Sequence, residues 1–153
     1  MLDAVGADGR LIGRDAECAR LVALLEPGAV VTFIGPGGVG KTTLAAAVVD
    51  RAAPFARIGS LPATASADEV ADALGFESVD AATVALAERP TTIVLDGCEH
   101  LLGAVRQVVT AIRSGAAQAI VVITSRQPLG LAGEQVVVVD PLGLPAPGGV
   151  DPE

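Results

Sequence analysis

The sequence predicts an α/β protein in three layers, with helices on both faces of a mostly parallel five-stranded sheet. Three observations lead there. Apolar runs of strand length recur: "AVVTFI" at 29–34, "TTIVLD" at 91–96, "QAIVVITS" at 118–125 and "EQVVVVD" at 134–140. Unbroken runs, as opposed to alternating ones, mark strands buried on both faces. Segments of helical periodicity separate them, and strand–helix alternation is the pattern of a parallel layered sheet. Finally, a glycine-rich turn, "GPGGVGKT" at 35–42, joins the first strand directly to a helix former.

Each element has its own warrant. Residues 1–10 read as a loose lead-in. "DAECARLVALLE" at 15–26 places Cys18, Leu21, Val22 and Leu25 at helical spacing and stops at Pro27-Gly28. After the glycine-rich turn, "KTTLAAAVVDRAA" at 41–53 is a strong helix former that ends before Pro54. "ARIGS" at 56–60 supplies the fifth, short strand. Ser66 and Glu69 form a capping-box pattern for a helix that stops at Gly75. A weaker helix covers 79–88. Residues 98–113 set Leu101, Leu102, Val105, Val108, Val109 and Ile112 on one helical face. The domain proper runs over 11–140, and the Pro- and Gly-rich residues 141–153 read as a tail or linker.

Composition narrows the function. A chain of 153 residues is one domain long and large enough to bury a core. Hydrophobic residues make up 51% and aromatics only 2%, so the core is built from Ala, Val, Leu and Ile. A net charge of −8 argues against direct contact with a nucleic-acid backbone, which needs clustered Lys and Arg. No apolar run reaches the roughly 18–20 residues that span a bilayer, and the N-terminus lacks a secretory pattern, so a cytoplasmic location is expected. Cys18 and Cys98 are too few for a disulfide framework and read as thiols.

The turn at 35–42 matches G-x-x-x-x-G-K-[ST], the phosphate-binding P-loop, between the strand and helix that motif requires. Gly35, Pro36, Gly37, Gly38, Val39 and Gly40 would curl the backbone so that its N–H groups face phosphate oxygens. Lys41, Thr42 and Thr43 open a helix whose positive end faces the same anion. Lys41 is the sole lysine; arginine meets every other basic need. A compact ammonium would reach the terminal phosphates, and the Thr42 hydroxyl would ligate Mg2+. A plain glycine-rich turn is the alternative.

Metal-assisted phosphate chemistry on such a loop needs an acid at the end of a neighbouring buried strand. Asp96 fits, with Thr42 as the second metal residue; the alternative is that Asp96-x-x-Glu99 caps the next helix. Glu99 reads equally as a water-handling base or as a favourable charge at a helix start. His100, the only histidine, reads as a local packing residue. Gly97 leaves no carboxylate directly beside Asp96, so hydrolysis is expected to be slow. Arg126, after "AIVVIT", could sense a terminal phosphate or be a solvated loop residue. One strand and helix unit lies between the phosphate loop and the Asp96 strand, which suggests the strand order in which another strand separates those two, that of ASCE-type P-loop NTPases. The chain has no Asn, so the Asn-Lys-x-Asp guanine reader is absent and adenine is favoured.

With these segments placed, the chain resembles the STAND class of signalling ATPases, near the NB-ARC/AP-ATPase branch, and within it the ATPase core of LuxR- and SARP-type bacterial transcriptional regulators. "LIGRDAE" (11–17), "VTFIGPGGVGKTTLA" (31–45), "IVLDGCEHLL" (93–102) and "VVITSRQPLGLAGEQVVVVDPLGLP" (121–145) carry the resemblance in the family order. It implies that Ile12, Gly13 and Arg14 lie against adenine, where the bland reading is a pre-helix loop. It also implies that Arg126 senses the γ-phosphate. Such proteins are switches, closed with ADP and assembly-competent with ATP. The expected cofactors are therefore ATP/ADP and Mg2+. The expected partners are helical and winged-helix domains of a parent regulator, or further copies of the chain, since the mean hydropathy of +0.58 suggests an exposed docking surface. The family more often carries Asp-Asn or Asp-Asp where this chain has Asp96-Gly97, and its segment before the Asp96 strand is short. Two other functions compete: a non-enzymatic interaction module, and a small P-loop kinase, for which the arginines are too scattered to form a lid.

Overall fold

A computed structural model of the chain describes residues 15–37, 40–139 and 145–147. Its strands are β1 (Val30–Ile34), β2 (Phe55–Arg57), β3 (Thr92–Asp96), β4 (Ile120–Ser125), β5 (Gln135–Val139) and β6 (Pro145–Pro147). They form one sheet in the order β2-β3-β4-β1-β5-β6. The first five are mutually parallel, and β6 runs antiparallel to β5. The sheet thus has one strand more than the five expected, because residues 145–147 of the Pro- and Gly-rich segment pair with the edge. Strand β4 lies between β1 and β3, with Ile34 opposite Ser125 and Leu95 opposite Ile123.

Among the described residues five α-helices complete the layers: α1 (Asp15–Val22), α2 (Lys41–Val48), α3 (Ala67–Ala73), α4 (Val79–Glu88) and α5 (Leu102–Gly115). Side chains alternate across a strand, so each central strand feeds two cores. Val30, Ile93, Leu95, Val121 and Ile123 face α5, whose Val105, Val108, Val109 and Ile112 are fully buried. Val31, Phe33, Val94, Val122 and Val137 face the other way, onto Leu44, Ala45 and Val48 of α2 and Leu21 of α1. The high hydropathy is largely spent inside: among the described residues the exposed large hydrophobics are Val22 and Val84. None of the described helices is long and apolar enough to cross a membrane.

Local chemistry moved several boundaries. Helix α1 ends at Val22, short of Glu26, and tightens through Leu24 N–H to Leu21 O (3.0 Å) and Leu25 N–H to Val22 O (2.9 Å). Glu26 precedes a proline, which disfavours helical geometry there. Helix α2 stops at Val48, well before residue 53. The Asp50 carboxylate accepts the Ala52 N–H (2.9 Å) and the Asp50 carbonyl accepts the Ala53 N–H (2.9 Å), so a turn outcompetes the helix. The "ARIGS" strand is really Phe55–Arg57 followed by a 3-10 turn, Ile58–Ser60. The helix expected over 98–113 divides into a 3-10 turn, Cys98–His100, and α5. The capping box at α3 forms as read: Ser66 Oγ accepts the Glu69 N–H (3.2 Å), and Glu69 Oε1 accepts the Ser66 N–H (2.8 Å).

Candidate functional site

The carboxyl ends of β1, β3 and β4 meet at one edge of the sheet. Strand β1 delivers the chain into Gly35, Pro36 and Gly37, and α2 begins at Lys41 from a left-handed Gly40 (φ 95°). Glycine alone takes that φ without a Cβ penalty. Ile12, Gly13, Arg14, Gly38 and Val39 lie outside the described residues. The Lys41 ammonium arches back over the turn, donating to Gly35 O and, at 3.2 Å, to Pro36 O. Its pKa is lowered, chiefly by burial. The Glu99 carboxylate opposes this, the Arg126 guanidinium adds to it, and the Asp96 carboxylate opposes it. The fields of all three groups therefore converge on Lys41.

Asp96 ends β3 and is 9% exposed. Its Oδ1 accepts two hydroxyl hydrogens, from Thr42 Oγ1 (2.7 Å) and Thr124 Oγ1 (2.6 Å). Thr124 in turn accepts the Gly97 N–H at its hydroxyl (2.8 Å) and at its carbonyl (3.1 Å). Asp96 caps no helix: neither the 3-10 turn nor α5 has a side-chain cap. The first turn of α2 and the ends of β3 and β4 are thus tied through one carboxylate oxygen. Thr43 follows in α2, half-buried.

The position after Asp96 has a steric explanation. Gly97 has φ +77°, and a Cβ built there would sit 3.2 Å from Gly59 N and 3.3 Å from Gly59 Cα. Backbone passes close to backbone, so no side chain stands beside Asp96. The next residues form the 3-10 turn that presents Glu99 to solvent while Cys98 is fully buried. Cys98 Sγ donates to Leu95 O (3.4 Å). Burial pushes that thiol far up, and the charges of Asp96 and Glu99 push it further, so it stays protonated and unreactive. His100 does not pack locally as expected: it is exposed, and its Nε2 lies 2.9 Å from the carbonyl of Leu61, 39 residues away, an acceptor, so Nε2 carries the hydrogen and braces that turn.

Arg126 follows β4 directly. A Cβ built on Gly37 would lie 3.0 Å from Arg126 Nη2, so the guanidinium rests on the glycine-rich turn although the residue is exposed overall. The edge therefore gathers Lys41, Thr42, Asp96 and Arg126, with Glu99 close enough to act on Lys41. The bond from Thr124 to Asp96 was not foreseen from the sequence. The available signal was a hydroxyl closing an otherwise apolar run.

No family model matches the chain. Rv0890c of Mycobacterium tuberculosis, provisionally named an HTH-type transcriptional regulator, is 35% identical over 124 residues, covering 73% of this chain and 14% of the relative. Rv0894 of the same organism, described as uncharacterized, is 29% identical over 147 residues, covering 87% of this chain and 37% of the relative. The chain thus spans about 14% and 37% of the lengths of these curated relatives. Among solved structures, the Signal Transduction ATPase with Numerous Domains (STAND) protein PH0952 from Pyrococcus horikoshii, which has a tetratricopeptide repeat sensor, superposes with a TM-score of 0.62. That match has 19% identity and covers 84% of this chain and 23% of that one. The fold is STAND-like, and the chain is similar in sequence to much longer mycobacterial proteins.

Proposed function

We propose that this chain is a nucleotide-binding switch core that takes Mg-ATP and Mg-ADP and hydrolyses ATP slowly. The observation that carries the reading is the junction of Lys41, Thr42 and Asp96, with Thr42 Oγ1 and Asp96 Oδ1 2.7 Å apart at the start of α2. Lys41, the glycine-rich turn and the positive end of α2 would hold the β- and γ-phosphates. The placement of β4 between β1 and β3 supports the ASCE division of P-loop NTPases.

The residues fit Mg2+, which prefers hard oxygen donors and keeps several waters. Thr42 would ligate the ion, and Asp96, whose Oδ1 already accepts two hydroxyls, would hold its shell. When bound, Mg2+ supplies charge neutralisation for the phosphates. Arg126, resting on Gly37, is suited to a terminal phosphate. Glu99 is the candidate for orienting water, and the bare Gly97 beside Asp96 supports a slow rate. Adenine remains the base favoured by the absence of Asn. The STAND-like fold and the length of the relatives support a role as the core of a larger regulator, working with neighbouring domains or with copies of itself.

Equilibrium titration of labelled ATP, ADP and GTP with Mg2+, on the full chain and on Lys41→Ala, tests this. Micromolar binding of adenine nucleotides is expected, weakened at least about tenfold in the variant by loss of a charge-assisted contact. Absence of binding, or equal binding by the variant, overturns the proposal and leaves a non-enzymatic docking module. Phosphate transfer to an added metabolite would indicate a kinase instead.

A further inference from the structure

Strand β1 reads Val-Val-Thr-Phe-Ile, and its one polar residue, Thr32, is 0% exposed. A buried hydroxyl needs a partner, and the partner is distant in sequence: Thr32 Oγ1 donates to Glu134 Oε2 at 2.6 Å. The same oxygen accepts the Leu129 N–H (2.8 Å), and Glu134 Oε1 accepts the Gly130 N–H (2.9 Å). The Glu134 N–H closes a turn onto Leu131 O (3.1 Å). On the outer side Arg106 of α5 donates to Leu129 O (2.9 Å), and Leu129 is 1% exposed in the core.

The segment wrapped around this carboxylate is 126–134, which starts with Arg126. Its first turn is tied to β4 by Gln127 N–H to Ser125 Oγ (3.2 Å). Thr32, meanwhile, stands three residues before Gly35, on the strand that feeds the glycine-rich turn. The β1–β4 ladder brings Ser125 level with Ile34, and the chain that follows Arg126 is held against β1 by one acceptor-only group, bonded to Thr32 on one side and to two loop amides on the other. Glutamine could not replace it without loss, because its amide nitrogen accepts nothing.

We infer that Glu134 is a positioning residue that sets Arg126 over the glycine-rich turn and thereby the preference for a nucleoside triphosphate over a diphosphate. This rests on the nucleotide-binding reading above. Without the bracket the loop amides lose their partner and Arg126 loses its seat, while Lys41, Thr42 and Asp96 keep theirs. The deficit falls on the terminal phosphate alone.

The test measures dissociation constants of Mg-ATP and Mg-ADP for the full chain, Glu134→Gln, Arg126→Ala, the double variant and Thr32→Val. Glu134→Gln is expected to weaken ATP about ten- to hundredfold, the range of a lost hydrogen bond to a charged group, and to leave ADP within about twofold. Arg126→Ala should do the same, and the double variant no more than Arg126→Ala, because the two act as one unit. Thr32→Val should shift the ATP/ADP ratio in the same direction. Equal weakening of both nucleotides, no change in either, or multiplicative effects in the double variant overturn the inference. If Glu134→Gln fails to fold by circular dichroism, Thr32→Val decides, and an unchanged ratio there overturns it. A full chain that binds neither nucleotide removes the nucleotide-binding reading and this inference with it; a chain that binds both, with Lys41→Ala defective and Glu134→Gln normal, removes this inference alone.

Discussion

Gly97→Ala probes the contact that leaves Asp96 without a neighbouring side chain. Two costs add. A non-glycine residue held at φ +77° pays about 1–2 kcal/mol for the left-handed backbone. The new Cβ would also lie 3.2 and 3.3 Å from the backbone of Gly59. Gly59 cannot easily retreat: its 3-10 turn is closed by Leu61 N–H to Ile58 O (3.0 Å) and braced by His100 on Leu61 O (2.9 Å). Overpacking of this kind adds about 1–3 kcal/mol, for a total of about 2–5 kcal/mol. Gly75→Ala is the internal control. It has φ +100° with nothing within 4 Å of the added carbon, so it carries only the backbone cost of about 1–2 kcal/mol. Urea unfolding of both variants, with m-values unchanged, reads the difference directly. Gly97→Asn extends the series, since Asn tolerates the left-handed region yet keeps the Cβ contact; it should stay less stable than the parent. If Gly97→Ala and Gly75→Ala agree within about 0.5 kcal/mol, a difference near the error of extrapolation, the steric account of Asp96-Gly97 is wrong.

Two further outcomes follow from the same geometry. The Lys41 pKa is lowered mainly by burial, so its folded value lies below its unfolded one. The ammonium is lost as pH rises through the lowered value. Mg-ADP affinity should therefore fall on the alkaline side before the ordinary lysine value of about 10.4 is reached, while Lys41→Arg, which cannot titrate there, gives a flat profile; a flat profile for the parent would refute this. Over the same window the unfolded chain holds the proton more tightly, so the unliganded protein should gain stability as pH rises. Ser66→Ala removes the hydroxyl half of the capping box at α3, the acceptor of the Glu69 N–H, and leaves the backbone N–H of residue 66 its bond to Glu69 Oε1. A loss of about 1 kcal/mol is expected, seen in thermal unfolding as a fall of about 2–4 °C, with no change in nucleotide affinity because α3 lies away from the β1–α2 junction.

The layered α/β plan was legible because burial on both faces leaves a plain mark, the continuous apolar run, and because helix periodicity between the runs admits few alternatives. The strand–turn–helix at Gly35–Thr42 and the acid at Asp96 were legible for the same reason: each sits at a strand end that hydropathy locates. Helix ends were less so. Pro27 and Asp50 stop α1 and α2, respectively, earlier than apolar periodicity alone suggests, since a restricted residue before proline or a turn hydrogen bond weighs more than helix propensity.

By itself the sequence determined which residues would stand at the sheet's carboxyl edge, since continuous apolar strands and a glycine-rich turn are local properties. Only the tertiary structure decided who touches whom across that edge. Thr124 reaching Asp96 and Glu134 reaching Thr32 join residues 28 and 102 positions apart, and the Gly59–Gly97 approach joins two turns. Such pairings depend on strand order and on register between distant segments. Local propensity carries no record of either, because the hydrogen-bonding need of a buried hydroxyl is written in the chain but the identity of its partner is not.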